Sequence, residues 1–387
     1  MTSKPQFVGQ KVRLGDVVKI EKAPTPSGNN VWMLNLDAVE KDTGRVIIKN
    51  RVEADSVGIS TIAFTAKAVL YSKLRPNLNK VVVADEPGLA TSEMLPLITN
   101  PKILDRRYLA YLLRSSSFVN LAVSSTAGSK MPRVNKKTLL NAVFSIPNLE
   151  SQHQRVNQLS AIEEARTKAE LTIVQLDSFV KSRFVEMFGD PFDNEKKWPE
   201  YTLGSLLKIA RGGSPRPIKK YITDDSEGIN WIKIGDAVSG SRYIFGTSEK
   251  IKPSGVKKSR LVHSGDFLLS NSMSFGKPYI LKTDGCIHDG WLVLQGVEQH
   301  FDSLFLYQLL ASEGLLRKFS SLVRGGVVSN LNKDLVGSVS VMVPPITLQR
   351  KFADFVCQVD KSRFVAQQQI EKLQLLYDSL AQEYFGD

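Results

Sequence analysis

IPNLESQHQRVNQLSAIEEARTKAELTIVQLDSFVKSRFVEMFGD at 146–190 aligns without gaps on VPPITLQRKFADFVCQVDKSRFVAQQQIEKLQLLYDSLAQEYFGD at 343–387, at a constant offset of 197. Identities include Pro147/Pro344, Gln152/Gln349, Arg166/Arg363, Ala169/Ala366, Ile173/Ile370, Leu176/Leu373, Ser182/Ser379, Glu186/Glu383 and the closing Phe-Gly-Asp. A period that long is a duplicated module rather than a solenoid repeat. It predicts two similar surfaces related by an approximate two-fold axis.

The repeat has the pattern of a coiled-coil seam. Leu159, Ile162, Arg166, Ala169, Ile173, Leu176, Val180, Arg183 and Met187 step alternately by three and four. So do Val356, Val359, Arg363, Ala366, Ile370, Leu373, Tyr377, Leu380 and Tyr384. These are a and d positions. About 37 residues of helix span roughly 55 Å. The shared arginine weakens packing but can fix register.

The segments before each helix repeat more loosely. VWMLNLDAV at 31–39 resembles INWIKIGDAV at 229–238, and PRVNKKTLLNAVFSIP at 132–147 resembles SNLNKDLVGSVSVMVP at 329–344. The predicted order is globule, helix, globule, helix, each globule being large enough for its own core. The expected bounds are a globule over 1–146, a helix over 147–190, a globule over 191–343 and a helix over 344–387. The fold class is α+β: two mixed α/β globules separated by two long helices that pair as an antiparallel coiled coil.

The net charge of +12 sits on the globules. Residues 1–146 hold 21 Lys and Arg against 11 Asp and Glu, and 191–343 hold 20 against 15. Each helix is slightly acidic. Two polyanion-binding heads on a protein-facing spine fit that distribution.

Catalytic motifs are missing. There is no phosphate loop, no dinucleotide-binding glycine pattern and no nucleophile elbow. The Pro344-Pro345 pair lacks the polar and aromatic neighbours of an adenine methyltransferase tetrapeptide. His263, Ser264 and Asp266 are adjacent only in sequence, which does not make a triad. Cys286 and His288 do not complete a metal ligand set. No apolar run reaches bilayer length, and the start lacks a signal-peptide core, so a cytoplasmic location is expected.

Basic and amide-rich loops are the positive signal. SKLRPNLNK offers Lys73, Arg75, Asn77, Asn79 and Lys80, and GSKMPR offers Lys130 and Arg133. RGGSPRPIKK offers Arg211, Arg216, Lys219 and Lys220, and VKKSR offers Lys257, Lys258 and Arg260. SNSMSFGK adds Asn271 and Lys277, and RGGVVSN adds Arg324 and Asn330. Arginine and asparagine read guanine and adenine edges, while lysines anchor phosphates. These residues are the candidate DNA contacts.

With the duplicated helices, the Leu14-Gly15-Asp16 and Leu203-Gly204-Ser205 openings, the VLYSKL/FLLSNS segments, the Pro-rich exits with Gln152 and Gln349, and the Phe-Gly-Asp endings, the chain resembles the specificity subunit of type I restriction-modification systems. The resemblance covers nearly the whole chain. It implies two target recognition domains, each gripping half of a split double-stranded DNA site, and a helical spacer that docks two methyltransferase subunits. Restriction subunits can join that assembly. S-adenosylmethionine and ATP belong to those partners, and this chain carries no cofactor or catalytic residue. The repeat assigns Gln152, Glu186, Gln349 and Glu383 to docking. A fragment ending at Pro344 should retain both globules and bind DNA non-specifically. The alternative is an autonomous two-headed DNA-binding regulator.

Overall fold

The computed structural model describes residues 9–58, 60–127, 131–238, 240–271, 276–324 and 331–386; side chains at 55, 127 and 322–324 are not among those described. The chain forms two compact units. One comprises residues 1–170 and 368–387, the other 171–367. The two long helices, Leu149–Phe188 and Ile346–Phe385, each contribute to both.

The first unit opens with Gln10–Arg13 paired antiparallel to Val143–Ile146, which brings its chain entry beside its exit. A four-stranded antiparallel sheet runs in the order Val18–Ile20, Met94–Thr99, Val69–Ser72, Val81–Val83. A second sheet runs Asn50–Val52, Val31–Leu34, Gly88–Thr91, Thr61–Phe64, with a parallel pair at its centre. The central Val69–Ser72 is buried throughout, as its unbroken apolar run requires. Trp32, Leu34, Phe64, Leu70 and Met94 form one core cluster. Val69, Tyr71 and Leu97 belong to a second, with Tyr108, Leu109 and Leu112 of the helix Arg106–Arg114.

The second unit repeats this plan. Glu200–Thr202 pairs with Ser340–Met342. The sheet Lys208–Arg211, Trp291–Gln295, Phe267–Ser270, Pro278–Leu281 reproduces the first unit's strand order and gains Tyr243–Ile244 at its edge. A five-stranded sheet around Ile229–Ile232 and Gly285–Ile287 matches the first unit's second sheet, again with a central parallel pair. The helix Ser303–Leu310 occupies the place of Arg106–Arg114.

Within each unit the long helices run antiparallel. In the first, Arg155 donates to the Tyr384 carbonyl at 3.0 Å and Arg166 to Gln374 at 2.5 Å. In the second, Phe179 packs on Phe355, and Arg363 donates to Asp177. Adding 197 to Arg166 and Asp177 gives Arg363 and Gln374, so one seam pair is made twice, once charged and once neutral. The seam positions are the buried and half-buried ones, as the three-four spacing predicts.

The repeated glutamine is a latch. Gln152 is fully buried; its oxygen accepts from the Asp105 amide at 2.8 Å, and its nitrogen donates to the carbonyls of Ile103 at 2.9 Å and Pro147 at 2.8 Å. Gln349 does the same with Asp302, His300 and Pro344. Asp105 and Asp302 are themselves N-caps, of the helices Arg106–Arg114 and Ser303–Leu310. Each glutamine therefore ties the start of a long helix to the capped helix of a globule. This corrects the docking role assigned to Gln152 and Gln349, because neither exposes an atom to a partner. Gln349→Ala strands the Asp302 amide and the Pro344 carbonyl and gives up the longer bond to the His300 carbonyl, and should cost about 2–6 kcal/mol at roughly 1–3 kcal/mol for each of the first two groups. Urea unfolding measures it. A loss below half of that would mean the latch is dispensable.

Candidate nucleic-acid interface

In the first unit, two of the basic loops come together. The Val69–Ser72 strand ends in a turn where Arg75 and Asn79 adopt left-handed backbone, at φ 50° and 49°. The Arg75 amide donates to the Pro132 carbonyl at 2.8 Å, and the Val134 amide to that of Lys73 at 3.0 Å. Arg75 and Asn77 are exposed at this junction, and Lys73 is half-buried. The neighbouring residues are occupied. Asn79 donates its amide to the Arg114 carbonyl at 3.0 Å, and Lys80 its ammonium to that of Leu36 at 2.6 Å. Arg133 spans both carboxylate oxygens of Glu93 at 2.9–3.2 Å. The DNA-contact roles given to Asn79 and Lys80 are corrected accordingly: both pin the turn to the globule. The Glu93 carboxylate neutralises much of what Arg133 would offer a phosphate.

In the second unit, the corresponding turn follows Phe267–Ser270. The Asn271 amide donates to the Gly290 carbonyl and the Leu331 amide to that of Asn271, repeating the first unit's loop pairing. A second loop joins it here. The strand Lys208–Arg211 continues into Gly212 and Gly213, whose amides donate to the carbonyls of Trp291 at 2.9 Å and Ile287 at 3.0 Å. Glycine is required at 212, because a Cβ there would lie 2.1 Å from the His288 carbonyl oxygen. The loop then turns outward and presents Arg216, Lys219 and Lys220, all exposed.

Asp289 is the hub of this cluster. Its carbonyl accepts from Arg211 Nε at 3.1 Å and from Asn271 Nδ2 at 2.9 Å. Its carboxylate accepts from Ser214 Oγ at 2.6 Å and lies 2.9 Å from His288 Nε2 and 3.8 Å from Arg216. The Ser214 hydroxyl holds this carboxyl below the usual aspartate range; burial, the next largest effect, opposes it, and the neighbouring His288 and Arg211 add smaller lowering contributions. His288 is oriented from behind by the Gly290 amide, which donates to Nδ1 at 2.9 Å. Arg260 donates to the Arg211 carbonyl at 3.3 Å, and Lys258 to the Tyr221 hydroxyl at 2.7 Å.

Asn271 is 2% exposed, so its assigned direct contact with DNA is corrected to a buried brace for Asp289. Lys257 and Lys277 are exposed on flanking turns. Lys130 and Asn330 lie outside the described residues, as does the Arg324 side chain. Glu186 is exposed and paired with Arg183 at 2.8 Å, and Glu383 is exposed beside Tyr384.

Two features escaped the sequence reading. Arg45 reaches Glu170 of the first long helix at 3.0 Å, and Arg242 grips Asp360 of the second through two bonds of 3.0 and 3.1 Å. The two arginines stand 197 residues apart, which was the available signal. Asp289 carried no such signal, since an acid in a basic loop reads as an ordinary solvated turn. Among the described residues no three His, Cys, Asp or Glu side chains cluster as metal ligands, and no helix is long and apolar enough to cross a membrane. Cys286 is buried, and burial raises its thiol pKa.

Residues 9–175 and 195–375 both match the family model described as the type I restriction modification DNA specificity domain. The chain is 27% identical over 159 residues to the type I restriction enzyme EcoDI specificity subunit of Escherichia coli, covering 40% of this chain and 35% of that protein. It is 25% identical over 309 residues to the MjaVIII specificity subunit of Methanocaldococcus jannaschii, covering 74% and 71%. The fold is that of the type I restriction-modification S subunit from M. genitalium, with TM-score 0.59, 15% identity and coverage of 100% of this chain and 98% of that one. A chain from a structure describing complex assembly and conformational transition of a type I R-M system superposes with TM-score 0.64 at 18% identity, covering 98% of this chain and 99% of its own.

Proposed function

Because the chain belongs to the type I restriction-modification DNA specificity family, we propose that it is the subunit that selects the DNA sequence for a methyltransferase and, where present, a restriction partner. Each unit grips one half of a bipartite site. The observation that carries this is an exposed basic loop in each unit: Arg75 with Asn77 after the strand Val69–Ser72 in one, and Arg216, Lys219 and Lys220 after the strand Lys208–Arg211 in the other, non-equivalent strands of corresponding sheets. Chemistry on DNA belongs to the partners, with S-adenosylmethionine on the methyltransferase.

The helices act as the spacer. A helix of 40 residues is about 60 Å long. At about 3.4 Å per base pair, that caps the separation of the half-sites in the region of 18 base pairs. Glu186 and Glu383 are candidates for the docking faces of two methyltransferase copies. Mapping methylated adenines in cells carrying the methyltransferase, with and without this gene, tests the proposal. Two specified blocks around an unspecified gap are expected, and a continuous recognition sequence would sink it.

Affinity and choice of base should separate by residue. Lys219→Ala with Lys220→Ala removes two exposed ammonium groups from the outer turn. It should weaken binding to all sequences and lower the salt-dependence slope by about 2, at roughly 0.9 per phosphate contact. Arg75→Ala should relax one base position by about 1–3 kcal/mol. Salt-titrated binding to matched and mismatched duplexes distinguishes the two. An unchanged slope in the double lysine variant would place the phosphate path elsewhere.

A further inference from the structure

Asp289 is out of place in a surface built only to hold phosphate. Arg211 and Arg216 lie against it and Lys219 lines the same depression, and a carboxylate among them repels the DNA backbone. Its position is nonetheless elaborately fixed. Ser214 and His288 hold one carboxylate oxygen, Arg211 and Asn271 hold its backbone carbonyl, and the Gly290 amide orients the histidine. The second oxygen has Arg216 at 3.8 Å, too far for a hydrogen bond, and so keeps the capacity to accept. Beside it lies a depression walled by Pro215, Pro217, Ile218 and Trp231.

An ionised carboxylate only accepts, so it selects a base edge that donates. In the major groove, guanine presents two acceptors and thymine one, and all are repelled. Adenine presents its N6 amine beside the N7 acceptor, which a carboxylate also repels. Cytosine presents the N4 amine with the apolar C5 edge next to it. That edge matches a carboxylate flanked by an apolar wall. We infer that Asp289 reads a cytosine in the half-site gripped by the second unit, with the N4 amine on its carboxylate and the C5 edge toward Pro215, Pro217 and Ile218. The inference rests on the DNA-recognition reading and deepens it.

The test is selection from a randomised duplex pool by the full chain assembled with its methyltransferase. The wild-type complex should select cytosine over adenine at one position of one half-site by about tenfold or more. Asp289→Asn keeps the acceptor for Ser214 and His288 and adds a donor for adenine N7. It should move that one position from cytosine to adenine, leaving the others and the thermal midpoint unchanged. A second measurement needs no variant. In the wild-type complex, uracil opposite adenine at that position should cost about tenfold through loss of the N4 donor, and 5-methylcytosine should be accommodated by the apolar wall. An unchanged base preference in Asp289→Asn, or uracil bound as well as cytosine, overturns the assignment. Failure of the wild-type complex to select any bipartite sequence overturns the recognition reading itself, and this inference with it.

Discussion

A chain cut after Pro344 should lose the cooperative unfolding of both units, and Phe385→Ala in the intact chain should destabilise the first unit alone. The two closing Phe-Gly-Asp segments supply the reason. Phe385 enters the first unit's core, with its ring 5.2 Å from Tyr108 and its carbonyl accepting from Ser117 Oγ at 2.7 Å. Phe188 enters the second unit's core, 4.8 Å from Phe305 and 5.7 Å from Phe352. An offset of 197 converts Phe188 to Phe385 and Tyr108 to Phe305, so one socket is built twice. Truncation removes Phe385, Tyr384, Leu380 and Tyr377 from the first unit and Phe352, Val356 and Val359 from the second.

Loss of one buried phenylalanine costs about 3–5 kcal/mol, against a typical domain stability of about 5–15 kcal/mol. Several lost at once leave neither core enough to fold. This reverses the expectation that a fragment ending at Pro344 keeps both globules. Calorimetry decides it: two cooperative transitions in the truncated chain, or an unshifted first-unit transition in Phe385→Ala, would show that the sockets are ornamental to stability.

The plan of the fold was legible because duplication is a sequence property. A constant offset, a three-four seam and matching strand runs are enough to order the elements. The repeat also marked Gln152 and Gln349, but it could not say which way they faced. A repeated glutamine serves a docking face or an internal latch equally well, and only burial separates the two. The same limit applied to the basic loops. Lys80 and Asn79 look like Arg75 and Asn77 in composition. Two left-handed residues at the corners of that turn send the first pair inward and leave the second pair exposed. Asp289 was invisible for a different reason. Its importance arises from four partners that lie 18 or more residues away or on an adjacent imidazole, and spacing does not encode that convergence.

Gly212→Ala should abolish base selection in the second unit's half-site while removing no charged side chain. The added methyl would lie 2.1 Å from the His288 carbonyl oxygen and 2.9 Å from that of Ile287, both backbone atoms that cannot swing aside. The segment must lift away, breaking the amide bonds from Gly212 to Trp291 and from Gly213 to Ile287. Overpacking of this kind costs about 1–3 kcal/mol. The larger effect is geometric, because Arg211, Ser214 and Arg216 move together and Asp289 loses its hydroxyl partner. At about 1–3 kcal/mol per base contact, losing two such contacts weakens specific binding by about a hundredfold. Non-specific binding, which follows total charge, should persist. Gly235 provides the control, since nothing lies within 4 Å of its added methyl, and Gly235→Ala should select sequences as the parent does. Equal selection by both variants in the randomised duplex assay would show that the 211–220 loop sits outside the recognition surface.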